Sequence, residues 1–294
     1  MPEQVDEPPL TSIWPTGAAN MATQLADGDY QDATGTDPAL MPPSIARHAV
    51  LALTRPGGIV LDPDCGAGTT VVEALRTGRH AIGLTSHRRW WRLARANVTA
   101  AKAHGAFADG MVLVLDRRPG TAISAATAGL TGRVDLLLTS LRSANPHGDL
   151  ARAMARLATV LAQYRPLVRP GGHVVVTCPP QRHAAEHHLL DVPSQIIAAG
   201  NASGLALTAR CLALTAAMRQ RHVDTHATLA QRRAAARTER ILGHRIALPA
   251  HHTALVFRTD PDAAEVESIQ PVPPLTNAQC VSRRRTPLPE LAAA

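Results

Sequence analysis

The chain reads as an α/β protein, a mostly parallel sheet with helices on both faces, and three observations carry that reading. Apolar runs alternate with amphipathic helical stretches from about residue 43 to residue 258. Four of those runs are separated by crossover helices, which implies parallel strands buried on both sides. Residues 58–70, Gly-Ile-Val-Leu-Asp-Pro-Asp-Cys-Gly-Ala-Gly-Thr-Thr, join a strand, a glycine turn and a helix start with no linker between them. At 294 residues the chain can bury one substantial core and need not contain two domains.

Taken in order, residues 1–35 are rich in Pro, Gly, Asp and Thr with little apolar periodicity. They read as an extended or disordered lead-in, with Ile13-Trp14-Pro15 able to dock on the core. The main domain spans 36–259. Its first helix is expected at 43–54, where Pro43 fits a first turn and Ile45, Ala49 and Ala52 share a face. Strands are expected at 58–62, 80–84, 111–115, 134–139, 173–178, 206–214 and 253–258. Further helices are expected at 69–77, 88–103, 149–167 and 193–203. Pro170-Gly171-Gly172 marks a turn before Val174, and Gly204 a helix stop. The last two strands flank a basic insert at about 219–250 and suggest an antiparallel terminal hairpin. Residues 260–294, with Pro271, Pro273, Pro274 and Arg283-Arg284-Arg285, read as a flexible basic tail.

The 58–70 segment carries the chemistry. Gly66 and Gly68 let backbone approach a bound nucleoside, because glycine has no side chain to clash and adopts positive φ. The free N–H groups of a helix beginning near Thr69 offer donors to an anionic group. In a parallel sheet, ligands bind beyond the carboxyl ends of the strands where strand order switches. That puts this loop and the strand end at Thr139-Ser140 in one crevice. A nucleotide-type cofactor is the implied ligand.

The same string resembles the cofactor loop of the S-adenosylmethionine-dependent DNA amino-methyltransferases, roughly Asp-Pro-Phe-x-Gly-x-Gly-Thr-Thr. Upstream, Asp37-Pro38-Ala39-Leu40-Met41-Pro42-Pro43 resembles that family's His-Pro-Ala-Lys-x-Pro segment. Downstream, Ala81-Ile82-Gly83-Leu84 and Val134 to Ser140 resemble its next strand and its catalytic strand. The resemblance covers residues 36 to about 258 and is best between 42 and 98. It implies a Rossmann-like methyltransferase fold with a seven-stranded sheet, S-adenosylmethionine as cofactor, and methyl transfer to an exocyclic amine of adenine or cytosine in DNA. The residues it points to for the cofactor are Asp62, Pro63, Cys65, Gly66, Gly68, Thr69, Thr70, Thr85 and Asp116. Ser140 is the expected catalytic position.

The chain departs from the family pattern in three places. Thr85 stands where an acid normally takes both ribose hydroxyls, giving up charge-assisted bonds that contribute roughly 1.5–3 kcal/mol each. Asp64 adds a charge where the family tends to have an apolar residue. Ser140-Leu141-Arg142-Ser143 replaces Asp/Ser/Asn-Pro-Pro-Tyr/Phe. It keeps the first oxygen but loses the rigid turn and the ring that stacks on a flipped base. These changes describe a diverged member with a degraded catalytic motif and imply weak or absent turnover. Two other classes stay open: a degenerate protein acting by binding DNA or protein, and a methyltransferase for RNA or a small molecule.

Composition adds constraints. Thirty Lys+Arg against twenty-three Asp+Glu give +7, almost all the cations being arginine, whose fork suits phosphate. Arg233, Arg237 and Arg240, spaced four and three apart, form one cationic helix face; with Arg142 they are the nucleic-acid candidates, and DNA is the expected partner. Half of this bias is explicable as an Ala/Arg/Leu-rich coding preference. Cys65, Cys178, Cys211 and Cys280 show no metal spacing, and the fourteen histidines are dispersed, so no metal site is expected. No run is apolar enough to cross a bilayer and no signal pattern opens the chain, so a reduced cytoplasm is the expected location. Oligomeric state, acceptor base and recognition sequence leave no trace in the sequence.

Overall fold

A computed structural model describes residues 10–115, 129–142, 150–183 and 186–261. Asp116, Ser143, Cys280 and the tail beyond 261 lie outside the described residues. The strands are β1 (Ile13–Trp14), β2 (Ile59–Asp62), β3 (His80–Thr85), β4 (Gly110–Val114), β5 (Val134–Ser140), β6 (Val168–Cys178), β7 (Ala206–Leu214), β8 (Ala216–Met218), β9 (Val223–Thr225) and β10 (His251–Arg258). The helices are α1 (Met21–Asp27), α2 (Pro43–Leu53), α3 (Thr69–Arg76), α4 (Arg88–Ala103), α5 (Leu150–Tyr164), α6 (Val192–Ala202) and α7 (Leu229–Leu242).

The main sheet runs β1-β7-β10-β6-β5-β2-β3-β4. Every neighbouring pair is parallel except those made by β10, which is inserted antiparallel between β6 and β7. The seven expected strands are all present in a doubly wound, Rossmann-like arrangement, and β1 adds a short eighth at one edge. Strand order reverses at β2: the chain proceeds outward to β3 and β4 on one side and to β5 and β6 on the other. The carboxyl end of β2 is therefore the switch point.

Each sheet face has its own core. On one, α2, α3 and α4 cover Val60, Leu136, Leu138 and Val175. On the other, α5 and α6 pack Leu157, Leu161 and Ile196 on Leu61, Leu137 and Val176. These apolar side chains are almost fully buried, and each such burial stabilises by about 1.5–3 kcal/mol. Burial from both sides explains why the strands read as apolar runs rather than alternating patterns. Pro170-Gly171-Gly172 lies within β6 as an irregularity, where pairing jumps from Val134↔Val168 to Leu136↔His173.

The lead-in differs from expectation. Over residues 10–35 it is ordered: β1 pairs in parallel with β7, α1 follows, and a 3-10 turn spans Asp32–Thr36. Two aromatic anchors explain it. Trp14 is fully buried with its ring 4.8 Å from that of His48. Buried Tyr30 donates to Glu73 Oε1 at 2.8 Å, and Arg76 bonds the same oxygen at 2.8 Å. Two isolated aromatics produce no periodicity, yet each buries a large area. A second addition is the β8–β9 hairpin, which opens the basic insert as a separate two-stranded sheet.

Candidate functional site: the glycine turn at the end of β2

β2 ends at Asp62, and the chain turns through Pro63–Gly68 into α3. Gly66 has φ +50° and Gly68 φ +86°, the left-handed region that favours glycine. They serve different ends. A Cβ on Gly68 would sit 2.8 Å from the Ala94 Cβ, so Gly68 allows the start of α3 to press against α4. A Cβ on Gly66 would sit 2.0 Å from Asp37 Oδ2 and 2.4 Å from Arg142 Nη1. The open side of Gly66 is thus taken up by the protein's own charged side chains.

The turn is held from three directions. Ala67 N–H donates to Asp37 Oδ2 at 2.9 Å, and Ala39 N–H to Asp37 Oδ1 at 3.1 Å. Buried Asn97 of α4 donates to Ala67 O and to Thr34 Oγ1, both at 2.9 Å, and accepts from Gln31 N–H at 2.9 Å. Thr69 donates to Met41 O at 2.9 Å. Cys65 N–H donates to Leu84 O at 2.9 Å, and its buried thiol is pushed well up by desolvation.

A charge network crosses the turn. Arg142, just past β5, pairs with Asp37 at 2.6 Å and lies 3.7 Å from Asp64; Arg156 of α5 reaches Asp64 at 2.8 Å. Burial alone would lower the Arg142 pKa, but Asp37 and Asp64 outweigh it and hold the guanidinium charged. Burial raises Asp64 despite Arg142 and Arg156. Asp62 is pushed up to about 7, chiefly by burial, although Thr70 and the Asp64 N–H bond it.

The structure thus brings together Asp62, Pro63, Cys65, Gly66, Gly68, Thr69, Thr70 and Ser140 at one end of the sheet. Thr85 ends neighbouring β3, but it is buried and its hydroxyl accepts from His87 N–H at 3.3 Å. Asp116 lies outside the described residues. Ser140 donates to Ala39 O at 3.1 Å. Arg142, expected to meet nucleic acid, is turned inward instead, its side chain only 15% exposed, because two acids draw it there. Arg233, Arg237 and Arg240 are exposed on α7, a helix with no buried residue. Sequence reasoning assigned no role to Asn97, Asp37 or Arg156. Asn97 was the findable one: a polar residue in the apolar stripe Ala94, Val98, Ala101.

The dispersed histidines need one correction. His183, Glu186 and His188 each place a ligand-type atom within 4.8 Å of the others at the bridge between Arg182 and Leu189. All three side chains are substantially exposed, and Glu186 is already paired with His188 at 3.1 Å.

Between the turn and α5 the described residues enclose only about 10 Å³, lined by Asp64, Ser140, Arg142, Arg156 and their neighbours. That is room for about one water. With Asp37 and Arg142 where they are, the protein's own side chains fill the open side of Gly66, and a ligand on that side requires them to move.

Similarity to a known family lies in the N-terminal third. Residues 3–95 match the DNA methylase family. Within that stretch lie Asp37, the glycine turn and Asn97's neighbours on α4. The chain is 36% identical over 66 residues to the type II methyltransferase M2.DpnII of Streptococcus pneumoniae, covering 22% of this chain and 25% of that one. It is 34% identical over 71 residues to M2.LlaDCHI of Lactococcus lactis subsp. cremoris, covering 24% and 26%. The chain thus spans about a quarter of the length of these methylase relatives. A SAM-dependent methyltransferase from Methanosarcina mazei superposes with a TM-score of 0.45 at 9% identity, covering 76% of this chain and 99% of that one. No described helix is long and apolar enough to cross a membrane.

Proposed function

We propose that this chain is a methyltransferase-like protein of the DNA amino-methyltransferase class, with S-adenosylmethionine as its cofactor and turnover that is weak or absent. One observation carries the class: a strand–glycine-turn–helix unit at the switch point of the sheet, inside the stretch that matches the DNA methylases. The cofactor residues of this reading are Asp62, Pro63, Cys65, Gly66, Gly68, Thr69, Thr70 and Thr85, with Asp116 beyond the described residues. The cofactor supplies an electrophilic methyl group when bound. Ser140 is the acceptor-side oxygen this chain retains.

Weak turnover is supported by what surrounds Ser140. The next residues impose no proline turn, and Arg142 is turned inward onto Asp37, while the Ser140 hydroxyl donates to Ala39 O and keeps its oxygen free to accept. DNA is the proposed partner, met by the exposed Arg233, Arg237 and Arg240 face of α7 through phosphate contacts that position without reading sequence. A calorimetric titration with S-adenosylmethionine tests the cofactor. Transfer of labelled methyl to unmethylated duplex DNA tests the acceptor, and label on RNA instead of DNA would move the protein to the RNA class. Binding of DNA with no label on any acceptor identifies the degenerate form.

A further inference from the structure

Three charged residues around the glycine turn are far apart in sequence: Asp37, Asp64 and Arg142. In space they are one network, with Arg142 2.6 Å from Asp37 and 3.7 Å from Asp64. A buried guanidinium is tolerated only where its charge is compensated, and here both acids supply that compensation. Arg142 also points Nη1 at Ala39 O, 3.5 Å away. The network sits on the open side of Gly66, the side on which a turn at a switch point receives its ligand.

We propose that Arg142 decides what enters the glycine turn: held by Asp37 and Asp64, it occupies the ligand side of Gly66, and S-adenosylmethionine enters only when the guanidinium swings out. The inference rests on reading the turn as a cofactor site. Glycine at position 66 then serves the ion pair in the closed form and the ligand in the open one. Arg156 is not part of this closure. It reaches Asp64 from the solvent side, with its side chain 47% exposed.

The test is equilibrium binding of S-adenosylmethionine, by calorimetry, to the full chain and to three variants. Arg142→Ala removes the closing group. Arg142→Ala/Asp37→Asn does so without stranding the buried acid that Arg142 bonds most closely, while Asp64 keeps Arg156, and covers the case in which the single variant fails to fold. Arg156→Ala controls for loss of a charge at Asp64. Circular dichroism melts check that each folds. The expected result is at least tenfold tighter binding by the folded Arg142 variants, with Arg156→Ala within about twofold of the parent. Equal affinity in all four proteins overturns the closure and leaves the cofactor reading intact. Weaker binding by the Arg142 variants also overturns it, since Arg142 would then be a ligand contact. No binding by any folded protein overturns both the closure and the cofactor reading.

Discussion

Asp62 illustrates how one buried carboxyl shapes the behaviour of the turn. Its pKa is raised to about 7, so the folded state holds a proton that the unfolded chain releases near its ordinary value of 3.8. The stability tied to that proton is complete below about pH 4 and is lost as pH rises through about 7. Roughly 4 kcal/mol is at stake, as an upper figure. Asp62→Asn should therefore flatten the fall in stability between pH 4 and 7. Urea melts at pH 5 and pH 8 provide the check, and an unchanged pH slope would show that Asp62 is ionised in the folded state. Gly68 gives a second residue-scale expectation. Gly68→Ala must hold an L side chain at φ +86° with its Cβ against Ala94, and should lose about 1–3 kcal/mol. A denaturation midpoint equal to the parent's would mean that the start of α3 can shift away from α4 at no cost.

At the scale of elements, the lead-in and α7 make opposite cases. The lead-in carries little apolar sequence but is fastened by Trp14, Tyr30 and the Asn97 bonds to Gln31 and Thr34. Trp14→Ala should cost about 3–5 kcal/mol. A loss below 1 kcal/mol would show that β1 rests on the sheet without contributing to it. α7 has a complete capping box from Thr228 and Gln231 and a left-handed Gly243 stop, yet buries no side chain. Replacing Arg233, Arg237 and Arg240 with Ala should leave the melting temperature unchanged. The slope of log K against log salt for duplex DNA should fall by about 2–3. A constant slope would remove this helix from the DNA contact. The core helices were legible because each had one apolar face, and α7 because of its arginine spacing. The lead-in was not, because its order comes from single aromatics and long-range hydrogen bonds that leave no period.

For the whole molecule, topology was the most legible property. A buried parallel sheet writes itself as apolar runs, and crossover helices write theirs as amphipathic stretches, so all seven core strands could be placed. The site was legible only in part. The turn at 62–70 is where the string put it, at the switch point of the sheet. What closes it was hidden, because Asp37, Asp64 and Arg142 carry meaning only as partners. Read singly, Arg142 suggested a phosphate contact and Asp64 a stray charge.

The antiparallel β10 has a consequence for how this chain comes together during synthesis. It lies between β6 and β7, so the outer strip of the sheet cannot zip up until residue 258 has emerged. β1 is made before every other strand of this sheet, yet its partner β7 follows β6 in the chain and is flanked by β10. The ribbon that carries β1 is therefore a late closer, and a chain stopped at residue 250 would leave Trp14 without a finished edge to settle on.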